Sequence, residues 1–151
     1  MKKLFLLLIL TLFVTNCGYQ KIYSSKNLQL SIKEIKKDNT ELNNEISNAL
    51  LNIFSNGNAE KYFTLEIETK KSTDIKSKDS NGNPVIYRIK FKTNVIAIDN
   101  KNERYESTFS KEIDYNNEDD KFNLSLYVNQ LEKILIKEII EEIIYFLVNL
   151  K

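Results

Sequence analysis

The sequence predicts an α+β fold: a two-layer sandwich in which a four-stranded mixed sheet carries two helices on one face, in the order β-α-β-β-β-α. Segments whose apolar residues alternate predict the strands, and segments whose apolar residues recur every three or four positions predict the helices. The chain has 151 residues, of which 42% are hydrophobic and 28% charged. These values are typical of one folded globular domain.

The first half of the chain predicts a strand–helix–strand unit. Residues 28–32 alternate as a half-buried strand does, and Asp38 and Glu41 have the spacing of a helix capping box. The apolar positions that follow share one helical face: Leu42, Ile46, Ala49, Leu50, Ile53 and Phe54. Gly57 suits the end of this helix, and residues 62–68 form a second predicted strand.

The second half predicts a hairpin and a long helix. Residues 70–84 lack apolar periodicity and end in the turn-forming sequence Asp79-Ser80-Asn81-Gly82-Asn83-Pro84, so we expect a loop there. Residues 85–98 and 103–115 are predicted strands joined by a polar turn. Residues 122–150 form an amphipathic helix that Asp119 or Asp120 caps, and its charged residues are too frequent for a membrane span.

The N-terminus has the pattern of a lipoprotein signal peptide. Lysines at positions 2 and 3 precede an apolar run of 11 residues, whereas a bilayer span needs about 20. The sequence Val14-Thr15-Asn16-Cys17 resembles the bacterial lipobox, although Asn16 replaces the usual glycine or alanine. The alternative is a signal peptide that happens to contain a buried free cysteine.

Cleavage before Cys17 would divide the chain into a lipoprotein signal peptide (1–16), a lipidated tether (17–27) and an α+β domain (28–151). Acyl chains on Cys17 would attach the protein to a membrane, because each buried methylene contributes about 0.8 kcal/mol. Gly18 follows the cysteine, which by resemblance to the bacterial sorting rule favours the periplasmic side of the cell outer membrane.

The composition argues against catalysis. There is no histidine, and the single cysteine and three glycines allow neither a thiolate metal cluster nor a phosphate-binding glycine loop. We therefore expect no enzyme, no metal and no other cofactor. The formal net charge of +1 comes from mixed signs, so the sequence predicts no nucleic-acid partner.

One group of basic residues suits an anionic ligand. Lys76 and Lys78 lie in the predicted loop, and Arg88, Lys90 and Lys92 alternate along one face of the third strand. Such a face can bind phosphate groups, including those of an anionic glycolipid. The simpler interpretation is an ordinary solvated strand face.

The chain resembles the LPS-assembly lipoprotein family LptE. The resemblance rests on Cys17-Gly18-Tyr19, on the turn that begins at Asp79, on the strand that opens at Val85, and on the order of elements up to the terminal helix. A proline that often follows the aromatic residue in the family is missing here. The resemblance implies a protein that assists assembly of the outer-membrane β-barrel LptD and delivers lipopolysaccharide to the outer leaflet.

Two sets of site residues follow as hypotheses. Charge and position make Lys76, Lys78 and Arg88 candidates for binding lipopolysaccharide. The apolar stripe of the terminal helix is widened by Ile136, Ile140 and Ile144, and a helix that faces only its own sheet needs a narrower one. We therefore expect Ile140 and Ile144 to contact a partner. The alternative function is another outer-membrane lipoprotein that acts as a structural or chaperone-like binding module.

Overall fold

The computed structural model describes residues 30–55 and 59–150. Their strands and helices are β1 (Leu30–Lys37), α1 (Glu41–Ile53), β2 (Lys61–Lys78), β3 (Pro84–Asp99), β4 (Arg104–Asn116) and α2 (Lys121–Asn149). The predicted order β-α-β-β-β-α is confirmed. The predicted signal peptide, Cys17, the tether and Gly57 lie outside the described residues.

The four strands form one mixed sheet in the order β1-β2-β3-β4. β1 and β2 are parallel, as a strand–helix–strand unit requires, while β3 is antiparallel to both of its neighbours. β3 is paired on both sides from Ile86 to Ile98. It is therefore the central support of the sheet.

The core lies between one face of this sheet and both helices. The side chains that alternate along β2 and β3 toward the helices are buried, and α1 and α2 contribute apolar side chains to the same cluster. The largest fully buried apolar members are Phe54, Phe63, Phe91, Ile46, Leu50, Leu65, Ile89, Ile139, Ile143, Leu147 and Val95. Each contributes about 1.5–3 kcal/mol through removal from water, which makes this two-layer packing the main source of stability.

The start of α1 differs in detail from the predicted capping box. Thr40 is the N-cap, and its side chain accepts a hydrogen bond from the backbone N–H of Asn43 at 3.4 Å. The Asp38 carboxylate instead accepts hydrogen bonds from the side-chain amide of Asn43 and from the Thr40 hydroxyl. Both bonds lower the pKa of Asp38, and the bond from Asn43 has the larger effect.

β2 is much longer than the sequence predicts. The expected loop over residues 70–84 is wrong for its first nine residues, because β2 continues to Lys78 and its pairing with β3 extends from Phe63 to Lys78. Both faces of this part of β2 are largely exposed, so nothing forces an apolar alternation that the sequence could reveal. Pairing with β3, a non-local interaction, holds the segment in the sheet.

Both predicted turns are confirmed, and an aspartate organises each. The Asp79 carboxylate accepts bonds from the backbone N–H groups of Asn81 (2.9 Å) and Asn83 (2.8 Å), and Gly82 adopts a φ of 86°. Bonding to Asn83 is the main reason why the pKa of Asp79 is lowered. In the second turn Asp99 accepts bonds from Lys101 N–H and Glu103 N–H at 2.8 and 2.9 Å.

α2 packs across β3 and β4 and also contacts α1. Two ion pairs hold its flanks to the sheet, with nitrogen–oxygen distances of 2.5 Å for Lys71–Glu132 and 2.6 Å for Lys111–Glu142. Among the described residues, no helix combines the length and apolar character that a membrane span requires. The broad apolar stripe of α2 is explained by its contacts with two neighbours, a sheet and a helix.

The N-cap of α2 provides a test of this local structure. The Asp120 carboxylate accepts bonds from Phe122 N–H and Asn123 N–H, both at 3.1 Å. Replacing Asp120 with alanine should lower the free energy of unfolding by about 0.5–2 kcal/mol, whereas Asp120→Asn should lose much less because the amide oxygen still accepts. Urea denaturation followed by circular dichroism measures both. Equal losses for the two variants would contradict this capping role.

Candidate interaction surfaces

Arg88 lies on the sheet face opposite the helices, held between acidic side chains. It pairs across the strands with Asp74 of β2 and Asp114 of β4. Its guanidinium donates to both Asp114 carboxylate oxygens, at 2.6 and 3.1 Å, and lies 2.7 Å from Glu112. Arg88 is thus largely neutralised within the sheet.

The pKa values of this cluster follow from the same contacts. The hydrogen bond from Arg88 is the main cause that lowers the pKa of Asp114, and the nearby charge of Lys76 lowers it further. The bond to Asp114 likewise raises the pKa of Arg88. The structure therefore brings Lys76 and Arg88, two of the predicted lipopolysaccharide contacts, to the same carboxylate.

Lys76 and Lys78 lie on a strand and not in the predicted loop. Both are exposed near the end of β2, where the register with β3 shifts between Ile75 and Ser77. The extra residue of this bulge is Lys76, while Lys78 pairs with Pro84 beside the turn. The three predicted contact residues thus occupy one end of the β2–β3 hairpin, distant from β1.

The predicted partner contacts on α2 occupy different environments. Ile144 is 4% exposed and belongs to the protein's own core, so it is inaccessible to a partner of the folded domain. Ile140 is partly buried and packs against the same core. Packing within the core explains why the helix has an apolar residue at position 144. The prediction that Ile144 contacts a partner is therefore corrected.

The exposed apolar surface of α2 lies elsewhere on the helix. Five large apolar or aromatic side chains of α2 are exposed, Phe122 and Leu126 in its first two turns and, beyond them, Tyr127, Ile134 and Tyr145. The last three are 46%, 49% and 63% exposed. Their spacings of 7 and 11 residues place them within about 20° of one another around a helix of 3.6 residues per turn. A line of large side chains about 27 Å long therefore faces solvent. We name these three residues the α2 stripe.

Sequence inspection missed the α2 stripe because apolar residues occur on nearly every side of this helix. The signal that could have found it is the interruption of one apolar side by charges. Glu138 and Glu141 lie on the same side as the α2 stripe, between Ile134 and Tyr145, whereas the buried line from Leu131 to Leu147 contains no charge at its four-residue spacing. Apolar residues that share a side with glutamates remain in water.

No part of the described chain groups three or more histidine, cysteine, aspartate or glutamate side chains so that they could hold a metal ion. What the geometry provides is two surfaces: a basic hairpin end and an apolar helix stripe. Such surfaces suit binding.

Two solved structures described as lipoproteins share this fold. Rare lipoprotein B from Shewanella oneidensis superimposes with a TM-score of 0.56 at 14% identity, over 80% of this chain and 96% of that one. A Caulobacter crescentus protein classed as a lipoprotein gives a TM-score of 0.53 at 10% identity, over 80% and 88%. No family model and no curated protein matches the sequence. At these identities the likeness shows a shared fold.

The Arg88–Asp114 pair provides a direct electrostatic test. Replacing Arg88 with methionine should raise the Asp114 pKa toward its ordinary value of 3.8, because the main cause of its lowering is removed. Since the pKa is lowered in the folded state, the pair stabilises the protein above the ordinary pKa and loses this contribution as the pH falls through the lowered value. A carboxyl-carbon NMR titration measures the shift.

Lys92→Met is the matched control, because Lys92 lies on the same face of β3 but opposite Ser110. It should leave the Asp114 pKa unchanged. An Asp114 pKa that does not respond to Arg88→Met would contradict the described pairing.

Proposed function

We propose that the protein is a non-enzymatic lipoprotein, anchored through Cys17 to the periplasmic side of the outer membrane, that assists assembly of the β-barrel LptD and delivery of lipopolysaccharide. The observation that carries the proposal is an α+β fold with the element order β-α-β-β-β-α, which two lipoproteins share, in a domain that follows a lipobox-like sequence in the chain. The LptE resemblance implies the same order of elements.

The α2 stripe supports a role in binding a large apolar partner. Tyr127, Ile134 and Tyr145 gain little from the folded domain itself, since about half of each side chain remains in water. Burial of such side chains in an interface contributes about 1.5–3 kcal/mol each, before the cost of association. Tyrosine is also enriched at protein interfaces because it combines an apolar ring with a polar hydroxyl.

The basic hairpin end supports contact with phosphate-bearing lipid. Lys76 and Lys78 are exposed and, among the described residues, make no ion pair within 4.0 Å, whereas Arg88 is already held by Asp114 and Glu112. A phosphate group would therefore meet the two lysines first. Arg88 would contribute mainly by holding the acidic side chains away from it.

The proposal is tested by isolating the lipidated protein from detergent-solubilised membranes and identifying what accompanies it. A large β-barrel in stoichiometric amount, and acyl chains on Cys17 by mass spectrometry, are expected. Recovery without a barrel would contradict the assembly role and favour the alternative of a separate binding module. Recovery of unmodified Cys17 would contradict the anchor.

Charging the α2 stripe should separate partner binding from folding. The double substitution Ile134→Glu and Tyr145→Glu should reduce the amount of co-purified barrel by at least about tenfold, because it places charges at two apolar positions that the proposed interface buries. The thermal midpoint should change by only a few degrees, since both positions are exposed. Ser125→Glu with Asn129→Glu is the control, because both sites are exposed on α2, lie roughly opposite the α2 stripe around the helix and introduce the same number of charges; it should retain the barrel. Retention by the double variant would contradict a contact through the α2 stripe.

Reversing the charges at the hairpin end should weaken glycolipid binding. Lys76→Glu with Lys78→Glu removes two cations that form no ion pair within 4.0 Å among the described residues, so binding of purified lipopolysaccharide should fall and its salt dependence should decrease. Lys33→Glu with Lys92→Glu, two exposed lysines elsewhere in the sheet, changes the net charge by the same amount and is the control, which should have a smaller effect. Fluorescence titration with labelled lipopolysaccharide measures all three proteins. Equal losses would show that binding depends on net charge and not on this site.

A further inference from the structure

Much of one edge of β2 has no neighbouring strand. β1 pairs with β2 only as far as Ile67, whereas β2 continues to Lys78. No described residue pairs with this edge over residues 68–78, although their other edge is bonded to β3. At about 3.3 Å per residue this bare edge is about 36 Å long. Alternate backbone N–H and C=O groups along it are available to an added strand.

The sheet face beside this bare edge is also uncovered. Lys71, Thr73 and Ile75 point to the helix side, as their pairing with the buried Phe91 and Ile89 and with Tyr87 shows. All three are nevertheless exposed, and Ile75 is exposed to 50%. α1 packs on β1 and β2, whereas α2 packs mainly on β3 and β4 and reaches this part of β2 through the Lys71–Glu132 ion pair, so Thr73 and Ile75 remain exposed. Side chains of an added strand would find room here, next to Ile75.

The other edge of the sheet, along β4, lacks this combination. Its helix-side residues, from Tyr105 to Tyr115, are partly buried beneath α2. Both edges carry one inward-facing lysine that α2 holds, Lys111 through Glu142 at 2.6 Å and Lys71 through Glu132 at 2.5 Å, so this feature does not distinguish them. The helix-side residues of the bare edge beyond Lys71 are exposed, whereas those of β4 are partly buried along its whole length. Of the two edges, the bare edge of β2 is therefore the more receptive.

The charge of the bare edge indicates what it would accept. Residues 68–78 contain four lysines and two acidic residues. Lys70 is paired with Glu68 at 2.9 Å and Lys71 with Glu132 at 2.5 Å, which leaves Lys76 and Lys78 without an ion pair among the described residues. Asp74 also has no ion pair within 4.0 Å among them, so the charges without an ion pair at this edge, two lysines and one aspartate, sum to +1. Acidic side chains on an added strand would complement this positive charge, since opposite charges on neighbouring strands stabilise their pairing.

We propose that the bare edge of β2, residues 68–78, is a strand-addition site for an extended acidic segment of a protein partner. Backbone hydrogen bonds to β2 provide the affinity, Lys76 and Lys78 select acidic side chains, and Ile75 accepts an apolar one. The inference depends on the sheet alone and is independent of the proposed role in barrel assembly.

Two other occupants fit less well. A second copy would bring the same lysine-rich edge against this one, so it is disfavoured by charge. Residues 18–29 precede Leu30, which pairs with Lys61 at the opposite end of β2. A strand of that length spans about 40 Å, of which about 23 Å is needed merely to pass β1, so it reaches only part of the bare edge.

The test uses the full-length lipidated protein in detergent micelles and a labelled, end-capped decapeptide of alternating valine and glutamate. A decapeptide of alternating valine and lysine is the matched control probe. Hydrogen exchange should slow at about half of the amides of residues 68–78 when the acidic peptide is added, because alternate amides face outward. The amides of β4 should not respond, and the lysine peptide should bind at least about tenfold more weakly by fluorescence anisotropy.

Variants make the site specific. Lys76→Glu with Lys78→Glu should weaken binding of the acidic peptide by about tenfold, while Lys92→Glu should not. Equal binding of the two peptides, or slowed exchange in β4, would overturn the proposal. If protection of the amides of residues 68–78 increases with protein concentration in the absence of peptide, the edge is bound by a second copy of the chain. Slow exchange that disappears when residues 18–29 are deleted would assign it to the protein's own N-terminal segment.

Discussion

The rest of the structure depends on the pairing of β3 on both of its edges. From Ile86 to Ile98 this strand is bonded to β2 on one side and to β4 on the other. Its alternate side chains, among them Ile89, Phe91 and Val95, are fully buried beneath the helices. The strand thus fixes the register of both hairpins and provides the sheet face on which α2 packs. β1 and α1 are additions to one half of this framework.

Because β1 and α1 are short, they leave parts of the sheet and of α2 exposed and available for binding. β1 accompanies β2 only to Ile67 and α2 packs mainly on β3 and β4, so the far part of β2 is left exposed. The exposed lysines at the end of the hairpin, the open side of β2 and the α2 stripe all follow from this uneven cover. Exposed apolar patches that the fold itself does not cover are typical of interaction sites.

Sequence reasoning succeeded where a structure is decided by neighbouring residues. The turns at Asp79 and Asp99 and the cap at Asp120 are local hydrogen-bonding arrangements, and all three were predictable. It failed where the decision is made by distant residues. β2 continues past Glu68 because β3 pairs with it, and Ile144 is buried because α2 contacts α1 as well as the sheet. The first fact leaves no periodic trace in its own segment, and the broad apolar stripe around Ile144 does not reveal whether this chain or a partner covers it.

The most direct measurement of the central claim is native-state hydrogen exchange across β3 in the full-length protein. If double-sided pairing of β3 holds the fold together, its amides from residue 87 to residue 97 should exchange only through global unfolding, with one common free energy. That free energy should equal the value from urea denaturation. Distinctly faster exchange in residues 87–92 than in residues 93–97 would show that the far end of the hairpin opens by itself, and would contradict the account.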